Sequence, residues 1–223
     1  MLNLTAAYAT FVNGGKKIKP VLINRIQDRR GKTIFSSNFA KCKGCDRFSE
    51  NKINEGLPEI NLTNDQVISE QTAYQITSIL KGVVTRGTGK KLKDLKVPLA
   101  GKTGTTNKNF DAWFIGYSSN LVVGVYVGFD NPKTLGKFET GSKTALPIFE
   151  NFVKEAVKKS DARPFKVSEG ITMMVVDPKT GKKASLSSKN TIMEAYKSKN
   201  VVEGKVLYSN NNRLESNNIL RFY

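Results

Sequence analysis

Three strand-forming runs follow one another closely in the middle of this chain of 223 residues. They are predicted at 97–106, 112–117 and 121–129, and a single tight link separates the last two. The second and third runs are rich in β-branched and aromatic residues, which favour strands. No other part of the sequence constrains the fold as strongly, because any fold must hold three consecutive strands at its centre.

Helical periodicity predicts three helices on either side of these strands. The first covers 4–11 and stops before a pair of glycines. The second follows an N-cap at Ser69 and ends at two further glycines. The third covers 144–157 and has Pro147 in its first turn, where proline is well tolerated.

Shorter elements are predicted at both ends of the chain. Two strand-like runs, 20–26 and 32–35, enclose a turn, and the polar stretch that follows them is expected to be irregular. One more strand is predicted at 171–176, and the Lys-, Ser- and Asn-rich remainder is expected to be partly disordered. We therefore divide the chain into a main part, 1–165, and a C-terminal extension, 166–223, with one hairpin-like segment.

The composition excludes several kinds of catalytic site. The chain has no His and only two Cys. A Ser-His-Asp triad, a Cys-His pair, a His-ligated metal and a four-thiolate zinc site are therefore excluded within it, and we expect no metal and no cofactor. No apolar run is long enough to span a membrane, and the first residues lack a signal-peptide pattern.

The chain is strongly basic, with 36 Lys and Arg against 19 Asp and Glu and a formal net charge of +17. Lysines spread over solvated surfaces are the simplest interpretation. The alternative is attraction to nucleic acid, an acidic lipid surface or a carboxylate-rich polymer. The densest basic cluster, 90–93, has no stacking aromatic residues near it, so we expect no nucleic-acid partner.

Two short motifs resemble functional sites and are set aside. Gly101 begins a Gly-Lys-Thr triplet, but the earlier glycine of a phosphate-binding loop is replaced by Lys96. Cys42 and Cys45 have the spacing of a thiol-redox motif without a preceding βαβ unit. A local disulfide or two unpaired thiols is the favoured interpretation.

The end of the first predicted strand is the most informative segment. Lys102 is followed by the hydroxyls of Thr103, Thr105 and Thr106, with Gly104 between them. A cation beside hydroxyls and open backbone N–H groups suits a carboxylate. Gly104 would let another backbone lie close, so that a peptide pairs along this edge. An ordinary polar strand end is the alternative for a lone Lys-Thr-Gly triplet.

The stretch 101–117 resembles the third signature, Lys-Thr-Gly, of the penicillin-binding proteins and serine β-lactamases, in the longer form of class A penicillin-binding transpeptidase domains. Other stretches are similar to that family in the same order, namely 4–15, 83–89, 123–131 and 171–181. The resemblance covers about residues 2–181. It implies that 1–165 corresponds to the C-terminal part of the transpeptidase domain.

This resemblance implies a fold and a reaction. The fold is α/β of the α+β type, with an antiparallel sheet packed between helices, as in DD-peptidases and β-lactamases. The reaction is acyl transfer in peptidoglycan synthesis: a serine attacks the D-Ala-D-Ala end of a stem peptide, and β-lactams acylate the same serine. The expected ligands are the stem peptide and β-lactams, at the periplasmic face of the bacterial inner membrane.

The resemblance also assigns roles to single residues. Catalytic roles fall on Lys102, which would orient a hydroxyl of the second motif, and on Thr105, whose backbone N–H would be an oxyanion donor. Lys102 would also attract the substrate carboxylate, and the hydroxyls of Thr103 and Thr105 would bind it. Gly104 and Thr106 complete the substrate-binding set. We expect the Lys102 ammonium to lie beside Thr105, along a groove.

The family's Ser-x-x-Lys and Ser-x-Asn motifs lie before the segment that this chain matches. Ser78 with Lys81, and Ser118 with Asn120, fit the two patterns but lie out of order, so we interpret them as coincidences. We therefore expect the chain alone to be inactive. An N-terminal half of the same enzyme is the expected partner, and it would also carry the membrane anchor. The alternative is a non-catalytic basic protein that docks on a partner chain or an acidic polymer.

Overall fold

The computed structural model describes residues 1–37, 40–43, 59–62, 65–158, 160, 162–185, 188 and 190–198. In chain order the helices and strands are α1 (Leu2–Val12), β1 (Arg25–Gln27), β2 (Thr33–Ser36), β3 (Ala40–Lys43), β4 (Glu59–Leu62), α2 (Glu70–Thr85), β5 (Ala100–Thr105), β6 (Ala112–Tyr117), β7 (Val122–Val127), α3 (Leu146–Ala156), β8 (Ile171–Val176) and β9 (Ile192–Lys197). A 3-10 helix, Lys90–Leu95, precedes β5, and a π-helical turn, Gly141–Ala145, leads into α3.

The strands β5, β6 and β7 form an antiparallel sheet in that order. Thr105 pairs with Ala112, which pairs in turn with Val127. The end of β5, the start of β6 and the end of β7 therefore meet at one end of the sheet, which we call the Thr105 end. Ala100 pairs with Tyr117 at the opposite end.

Helices cover both faces of this sheet. On the α3 face, Phe114 packs against Phe149 with ring centroids 4.8 Å apart, and both side chains are fully buried. On the α1–α2 face, Tyr117 packs beside Tyr8 of α1 and Tyr74 of α2. Successive strand residues point to opposite faces, so one strand serves both cores. The predicted antiparallel sheet between helices is confirmed.

The sequence signals at helix ends have their expected effect. The Ser69 hydroxyl caps α2 by accepting a hydrogen bond from the Thr72 N–H at 3.2 Å. After α1, Gly14 and Gly15 have φ of +62° and +85°, a region that favours glycine. The third helix is the exception, because its predicted first residues form the π-helical turn and α3 itself begins at Leu146.

One prediction of irregular structure was wrong, and the second strand of the predicted C-terminal hairpin-like segment was not located from the sequence. The polar stretch after β2 contains the antiparallel pair β3 and β4, in which Cys42 lies opposite Ile60. The C-terminal tail contains β9, which pairs along its whole length with β8. Both pairs lack the strong alternation that marks a strand with one buried face. Cys45 lies outside the described residues.

The hairpin formed by β8 and β9 packs on α2. Gln75 of α2 donates from Nε2 to the Ala195 carbonyl at 3.0 Å, and Arg86 forms an ion pair with Glu194. Ala195 and Phe165 also join the core cluster around Tyr117. The division of the chain at residue 165 stays a prediction, but the residues just after it are part of the core on the α1–α2 face.

Candidate functional site

Strand β5 presents the predicted site along an open edge of the sheet. Among the described residues its strand neighbour is β6 alone, so alternate backbone N–H and C=O groups face away from the sheet. Strand alternation places Thr103 and Thr105 on one face and Lys102 on the other. Lys102 and Thr105 are exposed, while Thr103 is half-buried.

The Lys102 ammonium lies at the backbone of its own strand. Its Nζ donates to the carbonyl of Thr103 at 2.9 Å, and no hydrogen bond joins it to the Thr105 hydroxyl. This differs from the expected position beside Thr105, and the physical reason is that the two side chains leave opposite faces of the strand. An exposed lysine side chain is long and flexible enough to leave this contact for a ligand.

The hydroxyl of Thr103 is held by a residue that the sequence reasoning did not assign to the site. Thr88, in the short turn after α2, places its Oγ1 3.1 Å from Thr103 Oγ1. The turn is itself fixed, because the N–H groups of Gly87 and Gly89 both donate to the Val83 carbonyl. The stretch 83–89 was among those similar to the family, but no role in the site was assigned to Thr88.

The hydroxyl of Thr105 is held from the other side by Gly141. The Gly141 N–H donates to Thr105 Oγ1 at 3.0 Å, which leaves the hydroxyl proton free to donate elsewhere. A Cβ on Gly141 would lie 2.5 Å from the Gly104 carbonyl oxygen and 2.3 Å from that of Trp113. Only glycine lets the backbone approach β5 so closely, and Gly141 too was missed by the sequence reasoning.

Thr106 is engaged in a separate network. Its hydroxyl donates to Asp111 Oδ2 at 3.2 Å and accepts from the Asp111 N–H at 2.8 Å. Tyr126 donates to the other carboxylate oxygen at 2.9 Å, and this hydrogen bond raises the Tyr126 pKa. The Thr106 proton is therefore used within the protein, whereas the Thr105 proton is not.

The two serine look-alikes lie away from the Thr105 end. Ser118 is buried in the turn between β6 and β7, at the opposite end of the sheet, and donates to Asn120 Oδ1 at 2.9 Å. Strand rise puts that end roughly 17 Å from Thr105. Ser78 follows Thr77, whose hydroxyl accepts from Tyr117 OH at 3.2 Å. Burial lowers the pKa of Lys81, three residues beyond Ser78.

A cavity is also found at the opposite end of the sheet. It has a volume of about 1000 Å³ and lies between α1, α2 and residues 163–169. Its lining includes Tyr74, Phe165 and Asn120 but none of the residues 102–106. The groove expected beside Lys102 is therefore not this cavity, and the predicted site lies along the open edge of β5.

The described residues contain neither a metal-ligand cluster nor a membrane-spanning helix. No cluster of three or more His, Cys, Asp or Glu side chains is placed to hold a metal ion there. Within the same residues, no helix has the length and apolar character needed to cross a membrane.

Comparison with known proteins matches the penicillin-binding protein transpeptidase domain to residues 1–154. Penicillin-binding protein 1A of Rickettsia bellii is 39% identical over 214 residues, which cover 94% of this chain and 26% of the relative. Penicillin-binding protein 1A of Pseudomonas aeruginosa is 33% identical over 224 residues, covering 88% of this chain and 27% of that protein. The crystal structure of penicillin-binding protein 1A from Haemophilus influenzae superposes with a TM-score of 0.68 at 30% identity, covering 86% of this chain and 31% of that one. The chain thus spans about a quarter to a third of the length of these relatives.

Proposed function

The chain belongs to the family of penicillin-binding protein transpeptidase domains, and from this membership we propose that β5 is the strand that holds the carboxylate end of a peptidoglycan stem peptide during cross-linking. One observation supports this above all others. Thr103 and Thr105 present two hydroxyls on one face of an open strand edge, and each is held by one hydrogen bond, from Thr88 and from Gly141 respectively.

The terminal carboxylate of a D-Ala-D-Ala peptide fits this pair of hydroxyls. Each hydroxyl has one partner in the protein and keeps hydrogen-bonding capacity for a ligand. The Lys102 ammonium supplies the opposite charge once it leaves the Thr103 carbonyl. The peptide backbone then lies along β5 as an added strand, which uses the unpaired N–H and C=O groups of the edge.

The acyl transfer proceeds in two steps, acylation of the serine and transfer of the acyl group to an amine. A serine hydroxyl attacks the carbonyl carbon of the penultimate D-Ala, the C–N bond to the terminal D-Ala breaks, and the leaving amine takes the proton. A neighbouring amine then attacks the acyl-enzyme and the serine recovers its proton. The Thr105 N–H stabilises the oxyanion in both steps, and loss of one such donor costs on the order of a hundredfold or more in rate.

The serine in this proposal comes from a Ser-x-x-Lys segment outside the site described above. Neither Ser78 nor Ser118 lies at the Thr105 end, so these residues cannot attack a carbonyl held there. We assign the nucleophile to the N-terminal half of the same kind of enzyme, and we place the reaction at the periplasmic face of the bacterial inner membrane, where cross-linking requires it. β-Lactams acylate the same serine.

Labelling with a fluorescent penicillin tests the proposal. The 223-residue chain alone should show no covalent label, whereas mixing it with a transpeptidase segment that carries Ser-x-x-Lys should label that segment. Lys102→Ala should reduce the labelling rate at least tenfold, because the carboxylate loses its counter-charge. Thr105→Val should also reduce it, while Lys179→Ala, a matched change in the turn after β8, should leave the rate unchanged.

Two results would contradict the proposal. Label on Ser78 of the isolated chain would show that the nucleophile is internal. A mixture that labels equally well with and without the Lys102 side chain would show that β5 does not hold the penicillin carboxylate.

A further inference from the structure

We propose that a group of side chains beside the Thr105 end forms a second anion-binding subsite, which takes additional carboxylates of an acidic peptide whose terminus lies on β5. The group, called the basic–aromatic rim, consists of Phe129, Lys133, Lys137, Phe138 and Lys143. This inference rests on the proposed function and deepens it, because it states how one substrate is held at a second point along its length.

The rim belongs to the loop that leaves the sheet at the Thr105 end. Phe129 follows β7, and the last residue of that strand pairs through Ala112 with Thr105. The loop then returns to β5, where the Gly141 N–H binds the Thr105 hydroxyl. Both ends of the loop are therefore anchored at the end of the sheet where the peptide terminus is placed.

The middle of the loop is anchored as well. The Leu135 N–H donates to the Asn109 carbonyl at 2.9 Å, and Asn109 Nδ2 is 3.0 Å from the carbonyls of Gly136 and Lys137. Asn109 lies in the connection between β5 and β6. Because these contacts involve the backbone of the loop, they hold it in place while its side chains remain free to bind.

The rim presents cations across exposed aromatic rings. The Nζ atoms of Lys137 and Lys143 lie 5.5 Å and 5.4 Å from the centroid of the Phe138 ring, which is 63% exposed. Lys133 Nζ lies 4.1 Å from the Phe129 ring, which is 42% exposed. Contacts of this kind are weak at exposed sites, so the ammonium donors stay available.

None of the three rim lysines forms an ion pair with a carboxylate in the described part of the chain. The single ion pair recorded there joins Arg86 and Glu194. Glu139, next to Phe138 in sequence, accepts from the Thr144 hydroxyl at 2.6 Å instead. Three unpaired cations beside two apolar rings fit a ligand that carries carboxylates on an apolar chain.

A peptide is favoured over other anions because of where the rim lies. A peptide that ends at Thr103 and Thr105 and pairs antiparallel to β5 runs past Thr105 with its earlier residues, so the side chains before its terminus lie on the side of the rim. Exposed lysines alone would not carry this inference, since the chain has many. The distinguishing feature is that two of the lysines share one exposed ring in a loop that is anchored to Thr105 through Gly141.

Nuclear magnetic resonance titration of the ¹⁵N-labelled full chain tests the rim with three synthetic peptides that end in D-Ala-D-Ala. The first has acidic side chains and a free terminus, the second has the side chains amidated, and the third has the terminus amidated. We expect the first to shift the amides of both 103–105 and 133–143, the second only 103–105, and the third only 133–143.

The outcomes separate the two proposals. If the third peptide leaves 133–143 unshifted while the second shifts 103–105, the rim is overturned and the proposed function stands. If the second peptide leaves 103–105 unshifted while the third shifts 133–143, the carboxylate role of β5 is overturned and the rim stands as an acidic-peptide site.

Substitutions test the residues of the rim. Joint Lys137→Ala and Lys143→Ala substitution should raise the Kd for the third peptide about three- to tenfold, as two exposed charge contacts are lost. The same change at Lys179 and Lys182, in the turn after β8, removes equal charge and should leave the Kd unchanged. Equal weakening by both pairs would overturn the rim, as would tighter binding of an oligonucleotide or of anionic vesicles at the same residues.

Discussion

The two faces of the central sheet are built differently although the same strands supply both. The α3 face is apolar and closely packed. Phe114, Leu146 and Phe149 are fully buried there, and a Cβ on Gly116 would lie 2.6 Å from the Phe149 ring. The α1–α2 face carries tyrosine and threonine hydroxyls and borders the cavity of about 1000 Å³.

The two faces therefore contribute differently to the stability of the sheet. The closely packed face fixes the position of β5, since packing there leaves no room for the strand to move. The α1–α2 face borders the cavity and joins the C-terminal hairpin to the sheet. Three stability measurements test this difference between the two faces.

The largest effect is expected from Phe149→Ala on the α3 face. Removal of this buried ring should lower the free energy of unfolding by about 3–5 kcal/mol, because the tightly packed neighbours cannot collapse into the space. Phe165→Ala is the matched change on the other face, where the ring already borders the cavity. It should cost clearly less, and equal losses in urea unfolding would refute the contrast between the faces.

The next effect is a pH dependence confined to the α1–α2 face. Burial raises the pKa of Tyr117 to about 12. Because the folded state holds the phenol proton more tightly than the unfolded state, this contribution is complete below pH 10 and is lost as the pH rises toward 12. The loss amounts to roughly 2–3 kcal/mol.

Urea unfolding at pH 9.5 and 11.5 measures this loss. Tyr117→Phe has no ionisable group at this position and should lose less stability between the two pH values than the unsubstituted chain. All other titratable groups are the same in the two proteins, so their contributions cancel in the comparison. If both proteins lose the same amount, Tyr117 is not desolvated as described.

The smallest effect is expected where the C-terminal hairpin joins α2. The Arg86–Glu194 ion pair is partly exposed, with side-chain exposures of 44% and 19%, so a double-mutant cycle to alanine should give a coupling energy of about 0.2–1 kcal/mol. The coupling should shrink in high salt. A coupling energy above about 2 kcal/mol would contradict this prediction, because only a buried ion pair is expected to couple so strongly.

The sequence predicted the elements whose signals are local. Ser69 and the glycines at 14 and 15 marked helix ends, and the strand β6 falls at the predicted 112–117. Strand β9 was missed because its residues stand among Lys, Ser and Asn, and because Lys197 at the hairpin's open end pairs with Ile171, which is 26 residues away (197 − 171). Propensity cannot report a pairing that distant contacts decide.

The candidate site was predictable to the same extent. Lys102, Thr103 and Thr105 were identified as candidates because they stand together in one short segment of the sequence. Thr88 and Gly141, which hold the two hydroxyls, lie 15 and 36 residues from their partners. Their contacts depend on how α2 and the loop before α3 fold back onto β5, and no local pattern encodes that.

Because of Gly141, the attachment of the long loop to β5 does not depend on which side chains the loop carries. Gly141 fastens the loop to Thr105 through a backbone N–H, a group common to every amino acid except proline. Mutations elsewhere in that loop can therefore remodel its chemistry without altering the grip on the strand. Substitutions in the loop can therefore change which ligand its side chains bind, as long as position 141 remains glycine, since a Cβ there would lie 2.3 Å from the Trp113 carbonyl oxygen.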